Sequence, residues 1–486
     1  MKFDEYSKFD ATGLATLVRQ RQVLPEELMK SALEGVEKLN PTINAVVSVL
    51  SNEARQEIVN GLPDGPFTGV PFLIKESSAQ AKGIPVQLGS RFGQGISTPR
   101  DTNLMVRFRQ SGLVTVGTST TPEFAFNFST ESVLYGPTRN PWNPNLSAGG
   151  SSGGACAAVA AGIIPIAHAN DGAGSIRQPA AVNGLVGLKP TRGRIPNGPH
   201  RGEILCGLGN EFAVTKSVRD AAALLDSIGG VDIGARNWIE KPENTYVSKL
   251  QKKPKKLRIA WTDKPWNNAP VDQECKQELY KTIKLCQELG HDLMEASPSI
   301  NAEQQLLATL RIWASFLSHS IEKMKTGLNR VPTTKNLEAS NWAIYQYGQT
   351  ITAAELLEAF EINNSVSRTV GEFFTDYDIL LTPTIAQLPW PIGKLNANDP
   401  SLNAEEWTER MMSYSPFTNL FNTTGQPAMS LPLGWSSKGL PIGMQFAARF
   451  GDESTLFKLA AQLEEAKPWK NKSPDLIALQ HKMVEG

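Results

Sequence analysis

Two glycine clusters carry the residues of this chain best suited to chemistry: Gly149-Gly150-Ser151-Ser152-Gly153-Gly154 and Asp171-Gly172-Ala173-Gly174-Ser175. Glycine at this density lets the backbone turn tightly and bring its N–H groups close to a ligand. A serine held in such a turn can be a positioned nucleophile. A Gly/Ser-rich stretch can also be a flexible linker, but both clusters abut strongly apolar, core-like runs. Three chemistries fit the residue types. Gly149-Gly150-Ser151-Ser152-Gly153 has the G-x-S-x-G form of a nucleophile elbow, which makes Ser151 the nucleophile and requires an acid and then a histidine further along. His319 falls in a helical pattern and His481 in a polar tail, so neither occupies the loop after a strand that this chemistry needs. Ser320-Ile321-Glu322-Lys323 and Lys325-Thr326-Gly327 match short serine–lysine hydrolase motifs. They lie almost on top of one another in one helical run and read as coincidence. The third chemistry needs no histidine: a lysine base, a relay serine and a nucleophilic serine.

The elements around these residues read as alternating strands and helices. Val70 to Glu76 is an apolar strand with Lys75 near its end, where a lysine most often snorkels. Helices are expected over Gly13–Arg19, from Pro25 to about Leu39 and over Asn103–Gln110, with a buried strand over Ile43–Leu50 and another over Leu113–Val116. Ala155–Ala161 reads as a helix, Ile163–His168 as a strand and Ser175–Val182 as a short helix, so strand, glycine turn and helix recur. Leu257–Trp261, Asp272–Leu289 and His291–Met294 form a βαβ-like unit after the basic loop Lys249–Lys256. Helical patterns fill roughly 302–326 and 352–374. Asp378–Thr384, Ala428–Gly434 and Ile442–Phe450 read as strands, and Glu453–Glu464 as a closing helix. Phe124-Ala125-Phe126-Asn127-Phe128 and the methionine-rich 404–424 segment suit a core or an apolar pocket.

Composition narrows the class. The 486 residues carry 48 basic and 48 acidic side chains, so the net charge is zero and nothing argues for nucleic acid or an anionic membrane as the main partner. Cysteines at 156, 206, 275 and 286 form no CxxC pair and the histidines do not cluster, so neither a disulfide framework nor a zinc site is expected. Cys156 reads as a small core residue. No signal peptide is visible in MKFDEYSKFD, and the longest apolar run, Ala155–Ala169, falls short of a bilayer span. The expectation is a cytoplasmic protein without cofactor or metal.

From Gly69-Val70-Pro71-Phe72-Leu73-Ile74-Lys75-Glu76, through Gly117–Glu123, Asn140–Asn143, Gly149–Gly154 and Asp171–Pro190, to Asp378–Thr384, Thr424–Ala428 and Gly439–Gln445, the chain closely resembles the amidase signature family. The resemblance implies one α/β domain over residues 1–486, a central mixed sheet flanked by helices, with a catalytic core segment at 69–191. It implies amide hydrolysis by a Ser–cis-Ser–Lys triad, with Lys75 as base, Ser151 as relay and Ser175 as nucleophile; the 24-residue separation of the two serines agrees with the family's. The Gly150–Ser151 peptide would be cis. The backbone N–H groups of Gly172, Ala173, Gly174 and Ser175 would form the oxyanion hole. Asp171 and Arg177 would hold that loop, and Ser152 would add a hydrogen bond to the relay. Ala125, Phe126, Asn127 and Phe128 would line the acyl side of the substrate pocket, with Met411 to Phe421 supplying the remainder. Two departures stand out: Ala173-Gly174 where the family commonly has two glycines, and Glu76 where aspartate is frequent.

Within the family, Asn170-Asp171-Gly172-Ala173-Gly174-Ser175-Ile176-Arg177 and Arg192–Pro199 resemble the stand-alone bacterial amidases, a branch that includes aminohexanoate cyclic-dimer (nylon oligomer) hydrolases. The alternative is the glutamine amidohydrolase subunit of a tRNA-dependent amidotransferase. Its usual threonine–glycine–glycine cluster and tyrosine-led run after the lysine–proline–threonine motif are absent here. The apolar pocket residues point to a small uncharged aliphatic or aryl amide as substrate; the expected assembly is a monomer or homodimer.

Overall fold

The structure is a computed structural model that describes residues 1–475. Its frame is one sheet of eleven strands: β1 Val46–Val49, β2 Pro71–Lys75, β3 Val114–Ser119, β4 Ile166–Asp171, β5 Val186–Lys189, β6 Asn210–Thr215, β7 Arg258–Trp261, β8 Asp292–Glu295, β9 Ile379–Pro383, β10 Ala428–Trp435 and β11 Pro441–Ala448. Across the sheet they run β1-β3-β2-β4-β6-β5-β10-β11-β9-β7-β8. The sheet is mixed: β3, β2 and β4 are mutually parallel, as are β9, β7 and β8, and antiparallel pairs fill the middle. Helices cover both faces, which is why the inner strands β2, β3, β5, β6 and β9 are buried at every position. This is the α/β sandwich expected from the motifs.

The βαβ unit forms as its pattern requires. β7 and β8 pair in parallel with the helix Gln273–Glu288 between them. Elsewhere the boundaries move for local reasons. The helix that begins at Pro25 does not stop near Leu39 but runs to Ile43, where Asn44 turns into the left-handed region at φ 49° and caps it. The strand expected over Ile43–Leu50 therefore shrinks to an edge strand, and its last residue, Val49, is exposed. The helix Ala339–Thr350 is absent from the sequence pattern, because asparagine, tyrosine and glycine are poor helix formers. Packing makes it: Gly348 lies so close to the helix Ala302–Leu328 that a Cβ there would strike the backbone of Ala314. The methionine-rich segment is two short helices, Ala404–Met412 and Asn419–Thr424.

The 69–191 segment uses this frame directly. β2 and β4 are adjacent and parallel, so their C-terminal residues, Lys75 and Asp171, emerge at the same edge. Ligand sites of α/β sheets form at that edge. Among the described residues, no helix is long and apolar enough to cross a membrane, and no group of three or more His, Cys, Asp or Glu side chains is arranged to hold a metal ion.

Candidate active site

Lys75 is fully buried at the end of β2, and its Nζ touches three oxygens: Ser151 Oγ at 2.7 Å, Ser152 Oγ at 3.0 Å and Asn170 Oδ1 at 2.6 Å. Donor inventory settles what each contact can be. The Asn170 amide gives its N–H groups to Ser77 and Ser78, at 3.0 and 2.6 Å, so its oxygen must accept from Lys75. Ser152 donates to the Asn170 carbonyl at 3.2 Å, so it too accepts. That leaves Ser151 as the one neighbour able to donate to a lysine lone pair. Burial pulls the lysine ammonium down from the ordinary range to about 7, against the opposing charges of Glu211, Cys156 and Asp171. At neutral pH an appreciable share of Lys75 is thus a free amine aimed at a hydroxyl.

Ser151 sits after a cis Gly150–Ser151 peptide. Gly149 takes a left-handed φ of 74°, and Gln178 Oε1 accepts the Gly150 N–H at 2.9 Å. Glycine is required at 150: a Cβ would lie 2.7 Å from the Asn127 carbonyl and 2.8 Å from the Phe128 carbonyl carbon. The helix Gly153–Ala160 follows, buried along seven of its eight residues, with Cys156 inside the core.

The second glycine loop is held from below by a buried ion pair. Arg177 grips Asp171 through Nε and Nη2, both at 2.9 Å, and reaches the Thr418 carbonyl, Gln445 Oε1 and Asn422 Oδ1. Asn422 returns bonds to the Asp171 carbonyl and carboxylate. The Asp171 carboxylate also accepts the main-chain N–H of Gly174 at 2.6 Å and of Ile176 at 3.2 Å. Burial alone would raise its proton affinity, but Arg177 and Asn422 outweigh it and hold the carboxyl down at about 2. One expectation needs correction here. Gly174 does not present a free N–H to an oxyanion, because Asp171 already takes it. Glycine is needed at 174 for its φ of 138° and because a Cβ would run into the Thr418 side chain. Gly172, Ala173 and Ser175 keep N–H groups uncommitted among the described residues.

Both serines open into one cavity of about 860 Å³. Ala125, Phe126, Asn127 and Phe128 all line it, together with Asp171, Gly172 and Ala173. The rest of the wall does not come from Met411 to Phe421. Only Met411 of that stretch reaches the cavity, whereas Phe417 and Phe421 are buried in the core. The facing wall is the helix Ala302–Leu328, through Trp313, Phe316, Leu317 and Met324. That same helix carries both short serine–lysine motifs and His319, and His319, Ser320 and Lys323 line the cavity, but among the described residues no hydrogen bond joins His319 to Ser151, whose Oγ meets Lys75 instead. His481 lies outside the described residues.

Asn170, His168, Ser77 and Ser78 were not singled out by the motifs, although a strand's two-residue alternation running back from Asp171 would have put His168 and Asn170 on one face. Asn170 orients the lysine directly.

The sequence model of the Amidase family matches residues 27–457. The chain is 35% identical to the 6-aminohexanoate-cyclic-dimer hydrolase of Paenarthrobacter ureafaciens over 479 residues, covering 96% of this chain and 97% of that protein. It is 32% identical to an acylamidase of Rhodococcus erythropolis, covering 96% of each. A solved structure of 6-aminohexanoate cyclic dimer hydrolase superposes with a TM-score of 0.92 at 34% identity, over 97% of this chain and 99% of that one.

Proposed function

The chain belongs to the amidase family, and from that premise we propose that it hydrolyses carboxylic acid amides through a serine acyl-enzyme, with Lys75 as base, Ser151 as relay and Ser175 as nucleophile. The observation that carries the reading is the buried Lys75 amine, whose other two neighbours can only accept, so that its lone pair falls to Ser151. Lys75 takes the Ser151 proton while Ser151 takes that of Ser175. The Ser175 oxygen forms a bond to the amide carbon, and the carbonyl oxygen becomes an oxyanion facing the N–H groups of Gly172, Ala173 and Ser175. Each such donor is worth on the order of 3 kcal/mol in the transition state. The C–N bond then breaks as the relay runs backwards and delivers the proton to the leaving amine, which leaves poorly without it. Water enters by the same proton path and releases the acid.

The cavity's aromatic walls, Phe126, Phe128, Trp313 and Phe316, support an apolar acyl or aryl group beside the scissile bond. The names of the similar proteins, a cyclic-dimer hydrolase and an acylamidase, fit such amides. The eleven-stranded sheet draws on Val46 to Ala448, which supports a single catalytic domain. We place the protein in the cytoplasm as a monomer or homodimer acting on small molecules. A panel of aliphatic amides, anilides, the cyclic aminohexanoate dimer and glutamine tests the reading. Turnover of apolar amides is expected, and glutamine as the best substrate by a wide margin would overturn it in favour of an amidotransferase subunit.

A further inference from the structure

Beneath the proposed base lies a second buried pair that the relay does not use. His168 is two residues before Asn170 on β4, and Glu211 on β6 stands opposite Asn170 in the antiparallel register. The three side chains therefore share one face of the sheet. His168 and Glu211 are both buried. His168 Nδ1 accepts the main-chain N–H of Lys75 at 3.2 Å, and its Nε2 meets Glu211 Oε2 at 2.8 Å. A ring nitrogen that accepts from a peptide N–H carries no proton, so the imidazole proton sits on Nε2 and is given to the carboxylate. The Phe108 ring packs edge-on against the imidazole, with centroids 5.7 Å apart.

Three groups face the Lys75 charge electrostatically: Glu211, Cys156 and Asp171. Asp171 is spent on Arg177, and burial keeps the Cys156 thiol protonated. Glu211 is the remaining carboxylate. It also interacts with Arg201, with which it lines a small cleft, and Arg201 in turn lines the rim of the active-site cavity. We propose that His168 and Glu211 are positioning residues for the base: the pair anchors the end of β2 through the Lys75 N–H, and the buried carboxylate favours the ammonium that forms when Ser151 gives up its proton. Lys75 is fully buried, so its charge is poorly screened and a fixed negative charge nearby is worth more than it would be at the surface.

The inference rests on Lys75 acting as base, and its test separates the two claims. The rate of covalent labelling by a fluorophosphonate is followed from pH 5 to 10 in the whole protein. Glu211→Gln keeps an oxygen acceptor for His168 but removes the charge. The acid limb of its profile is expected to move down by about half a pH unit or more, and its alkaline plateau to fall several-fold, because a weaker base transfers the proton less readily. Arg201→Gln is expected to move the limb the opposite way, since the Glu211 charge then acts on Lys75 unopposed. That exposed substitution keeps the proposal open to refutation even where Glu211→Gln does not fold. His168→Ala is expected to slow labelling at every pH by about tenfold. A limb that stays in place in both charge variants overturns the role of Glu211. Labelling of Lys75→Ala at the wild-type rate overturns the base itself, whatever the other variants do.

Discussion

At the scale of single residues, the account turns on how a buried lysine is held. Lysine at about 7 rather than above 10 means that the amine form dominates only above neutrality. Activity requiring that form is expected to rise through pH 7 and level off above it, and a profile flat from pH 5 to 9 would contradict the assignment. Asp171 runs in the other sense. Its carboxyl, normally near 3.8, is held at about 2 by Arg177 and Asn422, so the folded state gains on the order of 2 kcal/mol, present above pH 4 and lost as the pH falls towards 2. Arg177→Met leaves that carboxylate buried without its partner and is expected to cost about 3–5 kcal/mol, read as a large fall in melting temperature. Lys75, Ser151, Ser175, Asp171 and Arg177 were legible in the sequence because each lies inside a long motif. Asn170 opens one of those motifs, but its contact with Lys75 was not legible, nor was the place of His168, because a polar residue in a buried strand reveals its partner only when the neighbouring strand is in register. Glu211 is more hidden still, lying 43 residues from His168 along the chain.

At the scale of elements, glycine geometry decides where the serines stand. The 149–154 turn packs so closely on the 127–129 backbone that a Cβ at 150 would meet three main-chain atoms of that segment within 2.9 Å. None of them can give without moving a wall of the cavity. Gly150→Ala is therefore expected to displace Ser151 and slow fluorophosphonate labelling by about 10². Wild-type labelling in a fully folded variant would contradict that packing. Most strands and helices were readable from periodicity, since buried parallel strands such as β2 are continuous apolar runs and helices such as Gln273–Glu288 are amphipathic. The helix Ala339–Thr350 was not, because its stability comes from contact with its neighbour and not from its own residues. The 171–175 loop shows the same limit. Its sequence offers four N–H groups, and only the fold reveals that Asp171 has claimed the one on Gly174.

At the scale of the whole molecule, a sheet spanning most of the chain brings segments far apart in the sequence to one cavity. The 125–128 segment supplies one wall and the helix Ala302–Leu328 the other, with Phe126 stacked edge-on against Trp313 at 5.2 Å. No local pattern matches those partners across nearly two hundred residues, and of the Met411–Phe421 segment expected at the far wall only Met411 reaches the cavity. Phe126→Ala opens the aromatic contact. It is expected to raise KM for small apolar anilides about tenfold and to shift preference towards bulkier acyl groups, while the labelling rate at Ser175 changes little. Unchanged selectivity would mean that the acyl group lies elsewhere.

The measurement closest to the central claim is intact mass and peptide mapping after fluorophosphonate treatment of the wild type, Lys75→Ala and Ser151→Ala. The account predicts one adduct on Ser175, formed about 10² to 10⁴ times more slowly in both variants. An adduct on Ser151, or labelling of Ser175 that is indifferent to Lys75, would contradict it.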